Sequence, residues 1–299
     1  MLARSVGVLL ILLGSSAWAD TVHSLDAVGG QVKTPEGRAF VAEQMAGKPA
    51  PDRLGVQLSP GLSATGIAGL LVPSGDHAAV TLTGAKPWSG HPDQYVAIVC
   101  TGGVGTLDKE PRCARDDPDE AVPLHVYLGI IEAKAGSAPR AVAASGPVTV
   151  KIDWRESGLP RMPMIAEDAN GAPVPFARVQ GFDLAAYTIA AGQTAIGLRV
   201  GWQESYSGGG ADFTALLLFL VDGDRLKPIL AVPMSAYADL AGDWHKDGTR
   251  DHEIIDAAHI LTVSSTATNG HFDLVAKARA GAWKRVIKWD SAAGGYKPG

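Results

Sequence analysis

Leu216-Leu-Leu-Phe-Leu-Val221 is an uninterrupted apolar segment, and the turn signal Asp222-Gly223 follows it directly. A strand that faces solvent on one side alternates apolar and polar residues, whereas a strand covered on both sides does not. Six residues are too few to cross a membrane, because a spanning helix needs about 20 apolar residues. The segment therefore predicts a central β-strand that is buried on both faces.

Short apolar segments separated by turn residues extend from this strand in both directions. The chain contains 36 glycines and 19 prolines, which recur between the segments at spacings typical of hairpins. Further candidate strands lie at 79–82, 95–100, 124–131, 141–144, 148–154, 194–200, 229–232, 260–264, 272–276 and 283–289. This pattern predicts an all-β fold built from antiparallel meanders.

The two halves of the chain repeat one order of segments. The segments at 95–100, 124–131 and 141–144 parallel those at 194–200, 216–221 and 229–232. Duplication of a β-unit is one interpretation, and coincidence among short strands is the other. A boundary near Gly158 would separate a first β-unit, 53–158, from a second, 159–299. We expect two packed units or one sandwich, with a partial β-propeller as the alternative.

The N-terminal region is predicted to contain a leader and one short helix. Residues 1–19 combine Arg4, an apolar run and a small-residue end, which is typical of a secretory signal peptide. Residues 20–52 would form an arm with a helix over 35–46, capped by Thr34 and begun by Pro35. The protein is therefore expected to be periplasmic or secreted.

Cys100 and Cys113 are the two cysteines of the chain. In an exported protein they would most simply form a disulfide, which would contribute about 3 kcal/mol by restricting the unfolded chain. A reactive thiol is the alternative.

Charge and hydropathy exclude some partners. The net charge is −5 and the basic residues do not cluster, which disfavours nucleic acid. We expect no membrane insertion after signal cleavage, because no later stretch reaches about 18 apolar residues.

The stretch 243–251, Asp-Trp-His-Lys-Asp-Gly-Thr-Arg-Asp, has the spacing of a calcium-binding loop. Calcium binds several oxygen ligands, and Gly248 would allow the sharp turn that such a loop requires. The candidate ligands are Asp243, His245, Asp247 and Asp251, although His245 does not supply the oxygen expected at the third position. The alternative interpretation is a solvated Asp-Gly turn.

A second candidate surface surrounds three consecutive glycines. Polar and aromatic side chains flank them, and the set comprises Trp202, Glu204, Tyr206, Gly208, Gly209, Gly210 and Asp212. Such residues would suit a ligand-contacting loop, whereas an ordinary exposed loop is the competing interpretation.

Complete catalytic motifs are absent from the sequence. The pentapeptide Gly-x-Ser-x-Gly of α/β-hydrolases does not occur. His252, Asp256 and His259 would approach one zinc ion only on a helix, and a turn leading into a strand is the favoured interpretation of that segment.

Two passages resemble uncharacterised exported proteins of Gram-negative bacteria. They are Phe182-Asp-Leu-Ala-Ala-Tyr187 with Gly208-Gly-Gly210, and 239–250, Asp-Leu-Ala-Gly-Asp-Trp-His-Lys-Asp-Gly-Thr-Arg. The second passage with Asp251 is also similar to the calcium loops of FG-GAP repeats in β-propellers. That similarity implies a structural calcium ion, although a propeller would repeat the loop and this chain contains it once.

These observations predict an exported, non-catalytic binding or inhibitor-type protein with a protein partner in the cell envelope, stabilised by calcium. Toxin-neutralising immunity proteins belong to this class. The alternatives are a metal-dependent hydrolase of the envelope and a structural envelope component.

Overall fold

The computed structural model describes residues 19–44, 47–48, 51–107, 110–115, 123–167, 171 and 175–298, so all but the last residue of the predicted signal peptide lies outside it. Strands dominate, which confirms the all-β prediction. They are β1 (Ala19–Val22), β2 (Val80–Pro87), β3 (Gln94–Thr101), β4 (Val104–Leu107), β5 (Glu110–Ala114), β6 (His125–Glu132), β7 (Arg140–Pro147), β8 (Arg178–Ala190), β9 (Gln193–Tyr206), β10 (Gly209–Asp222), β11 (Arg225–Trp244), β12 (Arg250–Thr268), β13 (His271–Ala278), β14 (Lys284–Asp290) and β15 (Gly295–Pro298).

The helices lie in the N-terminal part of the chain. They are α1 (Leu25–Gln31), α2 (Pro35–Gln44) and α3 (Ala64–Leu71), and a 3-10 helix follows at Ser74–Ala79. Helix α2 confirms the predicted helix, and Thr34 caps it as expected, because its Oγ1 accepts a hydrogen bond from the Gly37 amide at 2.9 Å. Helix α1 was not predicted, since it contains the poor helix formers Gly29 and Gly30.

Strand β10 contains the segment 216–221 and lies between β9 and β11 in the sheet. Leu217 and Phe219 face the main hydrophobic core, whereas Leu216 and Leu218 face a second core on the opposite side. The prediction of a central strand covered on both faces is confirmed. Burial on both sides explains why its apolar residues do not alternate with polar ones.

The strands form one large mixed sheet, which makes two layers around the main core. One layer runs in order from β15 through β8 and continues to β5 and β4, and the other contains β2, β3, β6 and β7. Val96 and Ile98 of the smaller layer pack in the same core as Leu198 and Leu217 of the larger one. A partial propeller does not describe this arrangement, because the strands hydrogen-bond into one continuous network and not into separate blades.

The predicted repeat corresponds to two antiparallel meanders, β3-β6-β7 and β9-β10-β11. Their contact through the backbone is slight, since β7 and β11 pair at the single position Arg225 and Ala144. Both predicted units contribute side chains to the main core.

The prediction of a strand at 148–154 is wrong, because that segment forms only an isolated bridge between Lys151 and Pro175. Ile152 and Trp154 are buried in the main core, whereas Lys151 and Asp153 are exposed. The alternation in the sequence therefore reflects burial of an extended segment that does not join the sheet.

A disulfide links Cys100 at the end of β3 to Cys113 in β5, as predicted. Both half-cystines are buried in the main core. None of the helices among the described residues is long and apolar enough to span a membrane.

Candidate functional site

A cleft of about 660 Å³ opens where the N-terminal arm meets the tips of two long hairpins. Helices α1 and α2 form one wall, and the hairpins β9–β10 and β11–β12 form the other. The arm is held against the sheet by two kinds of contact. Phe40 of α2 packs on Tyr237 of β11 with ring centroids 5.1 Å apart, and the amide of Thr34 donates to Asp256 Oδ2 at 2.7 Å.

Gly208 and Gly209, two of the three consecutive glycines, allow the two hairpins to approach each other. A Cβ atom on Gly209 would lie 2.1 Å from the carbonyl oxygen of Asp239. Gly208 has a positive φ of 84° at the hairpin turn, and a Cβ there would lie 2.6 Å from Arg250 Nη1. All three glycines line the cleft. Glycine is therefore required at 208 by the backbone conformation and at 209 by the approach of the Asp239 carbonyl.

Asp239 and His252 form a buried pair in the hairpin wall. Asp239 Oδ1 lies 2.6 Å from His252 Nδ1, and the two side chains are 8% and 5% exposed. Both residues line the cleft. The carboxylate fixes the orientation of the imidazole, which is the arrangement that positions a histidine for proton transfer or for hydrogen bonding to a ligand.

Burial in the hairpin wall changes the pKa of Tyr237, which is close to this pair. Tyr237 lines the cleft. The pKa of its hydroxyl is raised by burial, which is the larger cause, and next by the negative charge of Asp239. The hydroxyl therefore remains protonated at neutral pH and can donate a hydrogen bond.

The rim of the cleft carries exposed apolar side chains. Among the described residues, the large apolar side chains with the greatest exposure are Leu25, Val56, Met164 and Trp244. Leu25 and Trp244 line opposite walls of the cleft. The guanidinium of Arg250 lies 5.3 Å from the Trp244 ring centre, and its Nε donates to the carbonyl of Gly242 at 2.8 Å.

Four of the seven predicted contact residues line the cleft: Glu204 and the three glycines. The Glu204 carboxylate is turned away from the arm, because Glu204 pairs with Ala211, a residue that faces the main core. Its Oε1 accepts a hydrogen bond from the Met164 amide at 2.6 Å. The contribution of Glu204 to the cleft is therefore chiefly its backbone.

The other three predicted contact residues lie away from the cleft lining. Trp202 is fully buried and packs edge-on against Trp154 at 5.5 Å. Tyr206 packs against the main core, and its hydroxyl has no hydrogen-bond partner among the described residues. Asp212 is buried and forms an ion pair with Arg178.

The stretch 243–251 forms the turn of the β11–β12 hairpin. The His245 amide donates to the Thr249 carbonyl at 2.8 Å, and Asp247 Oδ1 accepts from both the amide and the hydroxyl of Thr249. Asp251 Oδ1 lies 2.7 Å from His245 Nε2, and this contact raises the pKa of the His245 ring.

A histidine from the N-terminal arm joins this turn. His23 Nδ1 lies 2.6 Å from the same Asp251 oxygen. One ligand atom from each of His23, His245 and Asp251 lies within 4.8 Å of the others. Asp243 and Asp247, the other predicted calcium ligands, are not in this group. His23 has no ligand spacing to any other histidine in the sequence, so the sequence alone does not indicate a role for it.

The segment 252–259 lies within strand β12 and not on a helix. The structure separates the three residues considered as zinc ligands. His252 is hydrogen-bonded to Asp239. Asp256 accepts hydrogen bonds from the backbone amides of Lys33 and Thr34 in the arm. His259 is seven residues from His252, so it lies on the opposite face of the strand, where it stacks on Trp283 at 4.1 Å.

Comparison with protein-family models, with curated proteins and with solved structures finds no match to this chain.

Proposed function

We propose that this chain is an exported, non-catalytic binding protein of the periplasm that receives an amphipathic, basic segment of a protein partner in its cleft. The observation that carries this proposal is that Leu25 and Trp244, which are 50% and 69% exposed, both line the cleft. Exposed apolar side chains beside a pocket mark interaction sites, and tryptophan is enriched among the residues that dominate binding energy at protein interfaces.

The interior of the cleft supports an apolar anchor. Phe40 and Tyr237 provide aromatic surface, and the Asp239–His252 pair together with the Tyr237 hydroxyl provides hydrogen-bonding groups. Pockets of a few hundred cubic ångströms with mostly apolar walls and a few placed polar groups commonly bind one side chain or small ligand.

Charge favours a basic partner. Asp26 and Asp239 line the cleft, with Asp239 also bonded to His252, and the chain has a net charge of −5. Arg250 is the cationic side chain of the lining, and it is already engaged by Gly242 and Trp244. Complementary charge increases the rate of association and selects between partners.

The disulfide and the lack of a membrane-spanning helix among the described residues are compatible with an oxidising extracytoplasmic compartment. An inhibitor or immunity-type role would place the partner among envelope or toxin proteins. A structural calcium ion at 243–251 would belong to the same proposal, and the metal titration described below tests it against the alternative of a transition-metal ion.

Affinity capture from an envelope extract tests the proposal. We expect the wild-type chain to retain a defined partner and Trp244→Ala to lose most of it, since truncation of such an anchor commonly costs about 2 kcal/mol or roughly 30-fold in affinity. Met164→Ala is the matched control, because Met164 is 68% and Trp244 69% exposed but Met164 does not line the cleft. Equal capture by both variants would contradict the proposal.

Hydrolysis is a second candidate function, and one observation favours it. The Asp239–His252 pair lines the cleft with Ser205 and Ser207, and a carboxylate-oriented imidazole is the usual general base of a hydrolase. Activity towards ester, amide or phosphate substrates that disappears in His252→Gln would support this function. A complete absence of activity in the wild-type chain would reject it.

A further inference from the structure

We propose that His23, His245 and Asp251 form a binding site for zinc or a similar divalent transition-metal ion, and that the bound ion ties the N-terminal arm to the tip of the β11–β12 hairpin. The site goes beyond the binding function proposed above and does not depend on any partner. It also differs from the calcium loop, because it uses two imidazole nitrogens and a residue from outside the loop.

The chemistry of the donor atoms selects the metal. Calcium requires six to eight oxygen ligands, whereas zinc is bound in tetrahedral sites by imidazole nitrogen and carboxylate oxygen. Two nitrogens and one carboxylate oxygen are therefore a zinc-type set, with a fourth position left for water.

The geometry of the three side chains is close to that of a metal site. Both imidazoles point a nitrogen at one carboxylate oxygen, at 2.6 and 2.7 Å, and their rings are inclined at 74° with centroids 5.7 Å apart. Ligands around a tetrahedral zinc lie about 3.3 Å from one another, because each lies about 2.0 Å from the ion. To admit the ion, each nitrogen–oxygen distance would lengthen by about 0.6 to 0.7 Å, and the two nitrogens, which lie within 4.8 Å of each other, would take up the same spacing.

The ligands are brought together by the strand register. They are not brought together by a local sequence spacing. Strand β1 pairs with β12 so that Val22 lies opposite His252, which places the next residue, His23, beside Asp251. The turn of the β11–β12 hairpin places His245 beside the same residue, Asp251. The side chains of His23 and His245 are 80% and 39% exposed, so they can adjust without disturbing the core.

The site adjoins the cleft on both sides. His23 directly precedes Ser24 and Leu25 of the arm wall, and His245 directly follows Trp244 of the hairpin wall. An ion at this position would fix the distance between the two rim residues Leu25 and Trp244. Metal binding would therefore stabilise the cleft entrance as well as the fold.

Metal titration of the full exported chain, freed of metal with a chelator, tests the proposal. We expect calorimetry to show one zinc ion per chain, and His23→Ala, His245→Ala and Asp251→Asn each to weaken binding by at least about tenfold. Asp247→Asn is the matched control in the same turn, because its remaining oxygen still accepts the Thr249 hydrogen bonds; its affinity for zinc should stay within about twofold of the wild type. Circular dichroism checks that each variant is folded.

Cobalt provides a readout that does not depend on stability. Cobalt bound to the three ligands should give a visible absorption spectrum that His23→Ala changes and Asp247→Asn does not. Absence of saturable zinc binding by the wild type would overturn the proposal. So would zinc binding that His23→Ala leaves unchanged. Binding of calcium alone, lost in Asp247→Asn and kept in His23→Ala, would also overturn it and would favour the calcium loop.

Discussion

Asp239 Oδ1 lies 2.6 Å from Nδ1 of His252 because the two residues are diagonal neighbours on adjacent strands. In the register of β11 with β12, Asp239 is opposite Ile254 and Ala241 is opposite His252. A residue and the one two positions from its partner share a face of the sheet, within reach of side chains. The pair therefore follows from strand pairing, and it faces the arm that covers this side of the sheet.

The first prediction concerns this buried pair. Asp239→Ala should destabilise the fold by about 3 kcal/mol, because it leaves the His252 ring without its partner in a buried site. Denaturant unfolding measures the change. Asp222→Ala is the control, since Asp222 pairs with Lys227 in an exposed ion pair, and its effect should be small. A loss no larger than that of the control would mean that the buried pair does not hold the cleft wall together.

The second prediction concerns the contact between the hairpins. Gly209→Ala should destabilise the fold by about 2 kcal/mol or more, because the added methyl group would overlap the carbonyl oxygen of Asp239. Gly69→Ala should instead stabilise it by about 1 kcal/mol, since Gly69 lies in α3 and a Cβ there meets no atom within 4 Å. Urea unfolding of both variants compares them. Equal effects at the two positions would show that the glycine at 209 is not required for the approach of the strands.

The third prediction concerns pH. Burial lowers the pKa of His259 below its ordinary value of 6.5, although the carbonyl of Pro233 acts in the opposite direction. Well above pH 6.5 the ring is neutral in both the folded and the unfolded chain, so it adds no pH dependence there. As the pH falls below 6.5, the unfolded chain takes up a proton that the folded ring does not, and the free energy of unfolding therefore decreases.

Unfolding measured from pH 8 to pH 5 checks this dependence in the wild type and in His259→Phe. Phenylalanine keeps a ring stacked on Trp283 but does not titrate, so the variant should lose less stability on acidification. An identical slope in the two proteins would show that His259 does not contribute to acid sensitivity.

The sequence predicted those parts of the fold that depend on residues close together in the chain. The apolar segment 216–221 marked the central strand β10, and Thr34 with Pro35 marked the start of α2. Strand β8 was missed because its pairing with β9 shifts register between Val179 and Gly181 and again between Asp183 and Tyr187. Such bulges interrupt the alternation of period two on which sequence-based strand prediction depends.

The candidate site was predicted only in part, because some of its residues are neighbours in sequence and others are brought together by strand pairing. The three glycines and the turn 243–251 lie next to hairpin strands, so their neighbours in sequence are also neighbours in space. His23 lies 228 residues from Asp251, and only the pairing of β1 with β12 brings the two together. The burial of Trp202 likewise depends on Trp154, which is distant in sequence and packs against it, and no pattern around Trp202 reveals this contact.

The most direct test of the proposed binding cleft is site-specific photo-crosslinking in envelope extract, with a photoreactive phenylalanine analogue at position 244 or, as the control, at position 164. We expect one defined partner to be crosslinked from position 244 and not from position 164, and excess unlabelled wild-type chain to abolish this crosslink. No crosslinked partner from position 244, or the same products from both positions, would contradict the assignment of the cleft as the binding site.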